Sequence, residues 1–92
     1  MKQVPVILLD PSDEVATCLA DVDPGSRLAL LGGADTGVIS VEHVPFGHKI
    51  AMRDVASAAH VRKYGTVIGV ATQAISAGQH VHEHNLKSLR AG

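Results

Sequence analysis

The sequence predicts a mainly β fold with one short helix, an α+β arrangement in which many short strands are joined by tight corners. Three observations point that way. Aromatic residues make up 2% of the chain, Phe46 and Tyr64, so the core must come from Val, Ile, Leu and Ala, many of them β-branched and suited to strands. A unit of the form apolar-x-x-small-x-x-apolar recurs four times, over residues 22–28, 44–50, 55–61 and 75–81. Its central place is glycine in three copies (Gly25, Gly47 and Gly78), where the backbone can turn with positive φ before entering a strand. The remaining copy has Ala58 there, so a different type of turn is expected.

Residues 4–9 read as the first strand, with Pro5 near its start, where a missing donor is tolerated on a sheet edge. Asp10-Pro11-Ser12-Asp13 is a helix-start signal. Asp10 can cap, Pro11 suits the first helical position, and the acids oppose the positive end of the helix dipole. The helix is expected over residues 12–20, with Val15, Cys18 and Leu19 facing inward at helical spacing. Residues 28–31, 38–41 and 67–70 supply further strands, and the stretch 32–37 is a hairpin connection. Its glycine pair is a poor phosphate cradle, because no helix follows to offer an N-terminus. In every repeat unit the residue before the last apolar one is basic or histidine (Arg27, Lys49, His60, His80), a pattern that solvated charge beside a turn also explains.

Ninety-two residues fit a single domain, 1–92. A protein this short buries only about 60–65% of its unfolded surface, so a thin core and a partner or homo-oligomer are expected. An apolar fraction of 46% excludes a disordered polypeptide, and no apolar run is long enough to span a membrane. The formal charge of −1 is dispersed, which argues against nucleic acid as a partner. The one cysteine, Cys18, excludes an internal disulfide and reads as a small core hydrophobe rather than a nucleophile. The first residues lack the long apolar segment of a signal peptide, so a cytoplasmic location is expected.

Three of the six histidines, His80, His82 and His84, alternate with Val81 and Glu83. In an extended strand they would line one face, where imidazoles can ligate metal or move protons. A solvated strand accounts for the same spacing. With a single cysteine, any metal must be held by nitrogen and oxygen ligands. Two imidazoles at i and i+2 can converge on one ion, whereas three in a row need a twist or bulge. Arg53 and Asp54 read as a weak surface pair, and His43 and His60 as structural or solvated.

Three motifs carry a resemblance. Val44-Pro45-Phe46-Gly47-His48-Lys49-Ile50-Ala51, Lys63-Tyr64-Gly65 through Ile68-Gly69, and Gly78-Gln79-His80-Val81-His82-Glu83-His84-Asn85 occur in this order. Here the sequence resembles the SAF-type domain of the altronate/galactarate dehydratase family, and it is also similar to the small subunit of sulfolactate sulfo-lyase. The resemblance covers nearly the whole sequence from Pro11-Ser12-Asp13-Glu14-Val15-Ala16 onward. Ala58 and Ala59 depart from the glycine-containing turn usual before the Lys-Tyr-Gly motif. The resemblance implies a SAF-type β-clip fold, a separate large dehydratase subunit, and elimination of water from a sugar acid such as altronate or galactarate, or of sulfite from sulfolactate. It also implies a divalent metal, Fe2+ or Mn2+, with the large subunit as an alternative holder.

Elimination beside a carboxylate needs a base, an acid for the departing oxygen, and positive charge for the carboxylate and developing enolate. On that basis His82, His48, Lys63 and Tyr64 are the catalytic candidates. Lys49 and Asn85 are expected to bind substrate, and His80, His82 and His84 to hold the metal. The resemblance implies a lyase small subunit that is inactive alone. Two other readings fit the residues: a non-catalytic module that binds a sugar acid or a partner, and a free-standing histidine metal protein.

Overall fold

The computed structural model describes residues 2–89; Met1 and residues 90–92 of the expected 1–92 unit lie outside them. Among the described residues every regular element is a strand, and there are nine: β1 (Gln3–Ile7), β2 (Val15–Cys18), β3 (Arg27–Leu30), β4 (Asp35–Ile39), β5 (Lys49–Ala51), β6 (His60–Lys63), β7 (Thr66–Ala71), β8 (His80–Val81) and β9 (Leu86–Ser88). Six form one sheet in the order β4-β3-β1-β2-β5-β8, and three form a second in the order β6-β7-β9. All neighbours are antiparallel except β1 and β3.

The repeat units build both cores. Val22 bridges Val44, and Val55 bridges Ile75, so the units meet in pairs at their first apolar residue. Each then makes the same four-residue turn, closed by a backbone N–H to C=O bond: Ser26 to Asp23 (3.2 Å), and His48 to Pro45, Ala59 to Ala56 and Gln79 to Ser76 (each 3.0 Å). The apolar ends are all buried. Val22, Leu28, Val44 and Ile50 lie in one hydrophobic cluster, and Val55, Val61, Ile75 and Val81 in the other.

The third copy does not change turn type, contrary to the sequence expectation. Ala58 has φ 70°, beside 84°, 82° and 91° for Gly25, Gly47 and Gly78. A left-handed alanine costs about 1–2 kcal/mol. The Val55–Ile75 bridge and the bond from the Ala58 N–H to the Ala71 C=O (2.8 Å) over-determine the corner and hold it there.

The expected helix over 12–20 is also overturned: its middle is β2. This strand pairs with β1 on one side and β5 on the other, and it is buried on both faces. Val15 points into one cluster, while Ala16 and Cys18 point into the other. A strand covered on both faces shows no alternation, so its apolar positions mimic helical spacing. The Asp10 cap does form, as a turn. The Ser12 N–H and Oγ donate to Asp10 Oδ1 (2.9 and 2.7 Å), Asp13 N–H donates to the Asp10 C=O (3.0 Å), and the backbone then extends.

β1 is likewise no edge strand, because it lies between β3 and β2. Pro5 is tolerated there because the β1–β2 ladder is running out. The Pro5 C=O still accepts the Leu19 N–H (3.0 Å), and only the reciprocal bond is missing. The strands expected at 28–31 and 67–70 correspond to β3 and β7, whereas the one expected at 38–41 begins earlier, as β4 from Asp35, so that the connection expected over 32–37 is shortened to residues 31–34.

These corners make a contrasting pair of predictions. A Cβ at Gly78 would run into the backbone carbonyl of Ile39 at φ 91°, so Gly78→Ala is expected to cost about 3 kcal/mol or more. Ala58→Gly relieves a left-handed methyl group and is expected to be neutral or stabilising by up to about 1 kcal/mol. Urea unfolding of both variants checks this, and a clear loss of stability in Ala58→Gly would contradict the shared turn.

Candidate metal and proton-transfer site

β5 and β8 bring the histidines together. In their antiparallel ladder Ile50 stands opposite His80, and Lys49 opposite Val81. Residues opposed in a ladder share a face, and residues two apart on a strand do too, so His48 and His80 come to the same side of the ribbon. The His48 Nδ1 and His80 Nε2 are 2.9 Å apart.

The expected extended run through His84 is not found. β8 ends at Val81 and the backbone turns, with the Asn85 and Leu86 N–H groups donating to the His82 C=O (3.1 and 2.9 Å). Asn85 drives this. Its buried side chain accepts the His82 N–H at Oδ1 (3.0 Å) and donates through Nδ2 to the His80 C=O (2.9 Å), closing the turn from inside. The His82 ring thereby lies 5.4 Å from His80, nearly parallel at 12°, and 4.6 Å from His48. The ligand atoms of His48, His80 and His82 all fall within 4.8 Å of one another. His84 stands beside His80, ring centroids 5.4 Å apart and tilted by 42°, but is not in that group.

The His48–His80 pair has the spacing of two ligands of one divalent ion, and His82, within 4.8 Å, is a candidate third that needs a small ring movement to close on it. Two nitrogens bound to one ion at about 2.0–2.1 Å must be roughly 3–3.5 Å apart, close to the His48–His80 separation. Without an ion, the same pair can share one proton between two ring nitrogens. Burial pushes His80 below its ordinary pKa, and His48, His84 and His82 add to the effect, while Glu42 opposes it. A neutral imidazole is the form that ligates metal or accepts a proton.

Lys49, next to His48, points to the other face of β5, as strand alternation requires. There it lines a cleft with Lys63. Tyr64 and Gly65 form the two-residue turn between β6 and β7, with φ 57° and 76°. Their N–H groups donate to Asp13 Oδ2 and Oδ1 (2.7 and 2.8 Å), and the Lys63 Nζ lies 4.9 Å from the centre of the exposed Tyr64 ring. Among the described residues, no hydrogen bond or ring contact joins Lys63 or Tyr64 to the imidazoles. Cys18 is fully buried, and burial pushes its thiol up to about 11, far from a nucleophile's range.

A family model described as the altronate/galactarate dehydratase SAF domain matches residues 4–89. The protein belongs to this family. It is 40% identical over 77 residues to altronate dehydratase of Escherichia coli, covering 83% of this chain and 15% of that one. With altronate dehydratase of Bacillus subtilis it shares 36% over 85 residues, 89% of this chain and 16% of the other. With (2R)-sulfolactate sulfo-lyase subunit alpha of Chromohalobacter salexigens it shares 49% over 47 residues, 51% of this chain and 50% of that one. The sequence thus spans only a small part of the length of the altronate dehydratases it matches.

Sequence reasoning missed three acids that shape this SAF domain. Asp13 ties down the Lys63-Tyr64-Gly65 corner. Glu14 accepts the Arg62 N–H (2.7 Å) and pairs with its guanidinium (3.2 Å), and Glu42 accepts the His80 N–H (2.9 Å). Asp13 reads as a helix-dipole acid, which hides it, and nothing in the sequence singles out Glu14 or Glu42. Arg53 and Asp54 do not pair. Arg53 donates to the Pro11 C=O (2.8 Å), and Asp54 accepts the Ala77 N–H (2.9 Å). His43 and His60 are exposed.

Removing Asp13 orphans two N–H groups, so Asp13→Ala is expected to cost about 2–4 kcal/mol in urea unfolding. The depressed pKa of His80 gives stability a pH dependence. The unfolded state takes up this proton first, so His80's contribution is complete above about pH 6.5 and is lost as the pH falls toward the lower folded value. Urea midpoints across that range are expected to drop on acidification, and less so in His80→Gln.

Proposed function

We propose that this SAF domain is the small subunit of a divalent-metal-dependent lyase, removing water from a sugar acid at a site completed by a separate large subunit. One observation carries the reading: the nitrogens of His48, His80 and His82 converge within 4.8 Å. Elimination beside a carboxylate needs a cation and a proton carrier together, and a group of imidazoles can supply both positions. The relatives support it by name, as altronate dehydratases and as subunit alpha of a sulfo-lyase. The last is of similar length, since the same 47 residues make 51% of this chain and 50% of that one. That match also favours a second reading, in which the leaving group is sulfite. The strand-and-corner architecture is what we equate with the β-clip fold.

In this proposal His48, His80 and His82 hold the ion. A divalent ion bound there would supply Lewis acidity for the charge that develops on the substrate's carboxylate end. His84, exposed beside this group and outside the ligand set, faces the cleft that the large subunit closes and carries the proton to or from the reacting centre. Asn85 is a positioning residue: by closing the turn it sets where the His82 ring lies. Glu42, through the His80 N–H, fixes the backbone that carries His80.

Reconstitution tests this. The small subunit alone is expected to show negligible turnover of altronate, galactarate or sulfolactate, and the pair with its large subunit to be active. In the pair, His82→Ala is expected to lower kcat about 100-fold or more. Calorimetric titration of the isolated small subunit with Mn2+ is expected to saturate, to be lost in His48→Ala and His82→Ala, and to persist in His84→Ala. Full turnover by the small subunit alone, or Mn2+ binding indifferent to His48, would overturn the reading.

A further inference from the structure

We infer that the cleft on the opposite face of β5 from the imidazoles is a binding site for a carboxylate carried on an aliphatic tail. The cleft holds about 540 Å³, within the usual size range of small-ligand sites. Lys49 and Lys63 line it together with Val67, Ile68, Leu86 and Leu89, Thr66 and Ser88 add two hydroxyls, and among the described residues no acid does. Its chemistry is therefore two ammonium groups beside a mainly aliphatic wall that carries two hydroxyls.

The two lysines are poorly placed for a protein without a ligand. Among the described residues the ion pairs are Lys2–Asp23, Arg27–Asp35 and Arg62–Glu14, and neither Lys49 nor Lys63 takes part in one. Lys49 is half-buried, and holding a charge there beside a like charge is unfavourable without an anion. In keeping with this, its pKa is lowered, first by burial and then by Lys63. The π face of the Tyr64 ring keeps the Lys63 ammonium in place at 4.9 Å, an attraction too weak to replace a counter-ion.

A second, independent irregularity lies alongside. Thr17 stands directly across the β2–β5 ladder from Lys49 and so on the same face. Its hydroxyl is the one buried side-chain polar atom among the described residues that lacks a hydrogen-bond partner. Two cations without counter-ions lining one cleft are what an anion site looks like before its anion arrives, and the orphan Thr17 hydroxyl lies behind the cleft lining on the same sheet face. A carboxylate has two oxygens and can give one to each ammonium. The aliphatic wall then selects for a tail. A polyhydroxylated tail would turn most of its hydroxyls to Val67, Ile68, Leu86 and Leu89, with only Thr66 and Ser88 to meet them, so the wall favours an aliphatic tail over a sugar acid's.

The inference stands apart from the lyase reading, because it involves neither metal nor large subunit. Hexanoate titrated into the full-length protein by amide NMR is expected to give saturable shifts at Lys49, Val67, Ile68 and Leu86, with affinity falling as NaCl is raised. Lys63→Ala and Lys49→Ala are each expected to weaken binding about fivefold or more, and Lys49→Arg to retain it. His82→Ala should bind as the parent does, which separates this face from the imidazole group. Acetate should bind more weakly for want of a tail, and 1-hexanol more weakly for want of a charge. Hexanol or acetate matching hexanoate would overturn the inference. So would the absence of saturable shifts, or shifts confined to the imidazole residues. Dispersed spectra of the lysine variants show that they remain folded.

Discussion

Ile50 and Ala51 belong to one three-residue strand yet bury themselves in two different hydrophobic clusters. β5 is paired on both sides, with β2 and β8, and covered on both faces, and that double coverage joins the halves of the molecule. It also fixes what happens at the strand's open end. Alternation sends His48 to the face of Ile50 and Lys49 to the face of Ala51. Shifting the β5–β8 register by one residue would exchange those faces and pull His80 away from His48.

A core almost without rings has little apolar area to spend on holding its corners. Side chains bonded to the backbone take over that task. Asp13 clamps the β6–β7 turn, Asn85 the turn after β8, and Ser40 the first repeat corner, where its Oγ donates to the Asp23 C=O (2.7 Å) and accepts the Ser26 N–H (3.0 Å). All three residues are buried. Each satisfies backbone groups that would otherwise be stranded away from water. Two of the three hold segments that carry candidate functional residues, so stability and site geometry are set by the same contacts.

The parts of this fold that sequence reveals are those governed by local rules. The corners at Gly25, Gly47 and Gly78 are legible because a left-handed turn announces itself by glycine. Ala58 is not, because contacts made elsewhere in the fold, the Val55–Ile75 bridge and the Ala71 carbonyl, hold it in the same conformation. β2 misleads for the converse reason: its burial on both faces comes from strands distant in sequence, and it erases the period-two signal. The candidate site divides the same way. His80 and His82 stand out by spacing, and the resemblance points to His48. That His48 joins them, with His84 to one side, follows from the β5–β8 ladder and the Asn85 turn.

The two faces of β5 also differ in the sign of ligand they suit. On one face, imidazoles crowd together and His80 resists taking up a proton, so the group is poised for a cation. Glu42 receives the His80 backbone N–H, and the His80 Nε2 faces His48 Nδ1 instead. On the other face, two ammonium groups share a half-apolar wall, and the deficit there is negative charge. A cation and an anion held on opposite sides of one buried ribbon attract through it rather than repel. On the two proposals made above, a cation on one face and a carboxylate on the other would each ease binding of its opposite, and screening in the open clefts would limit the effect.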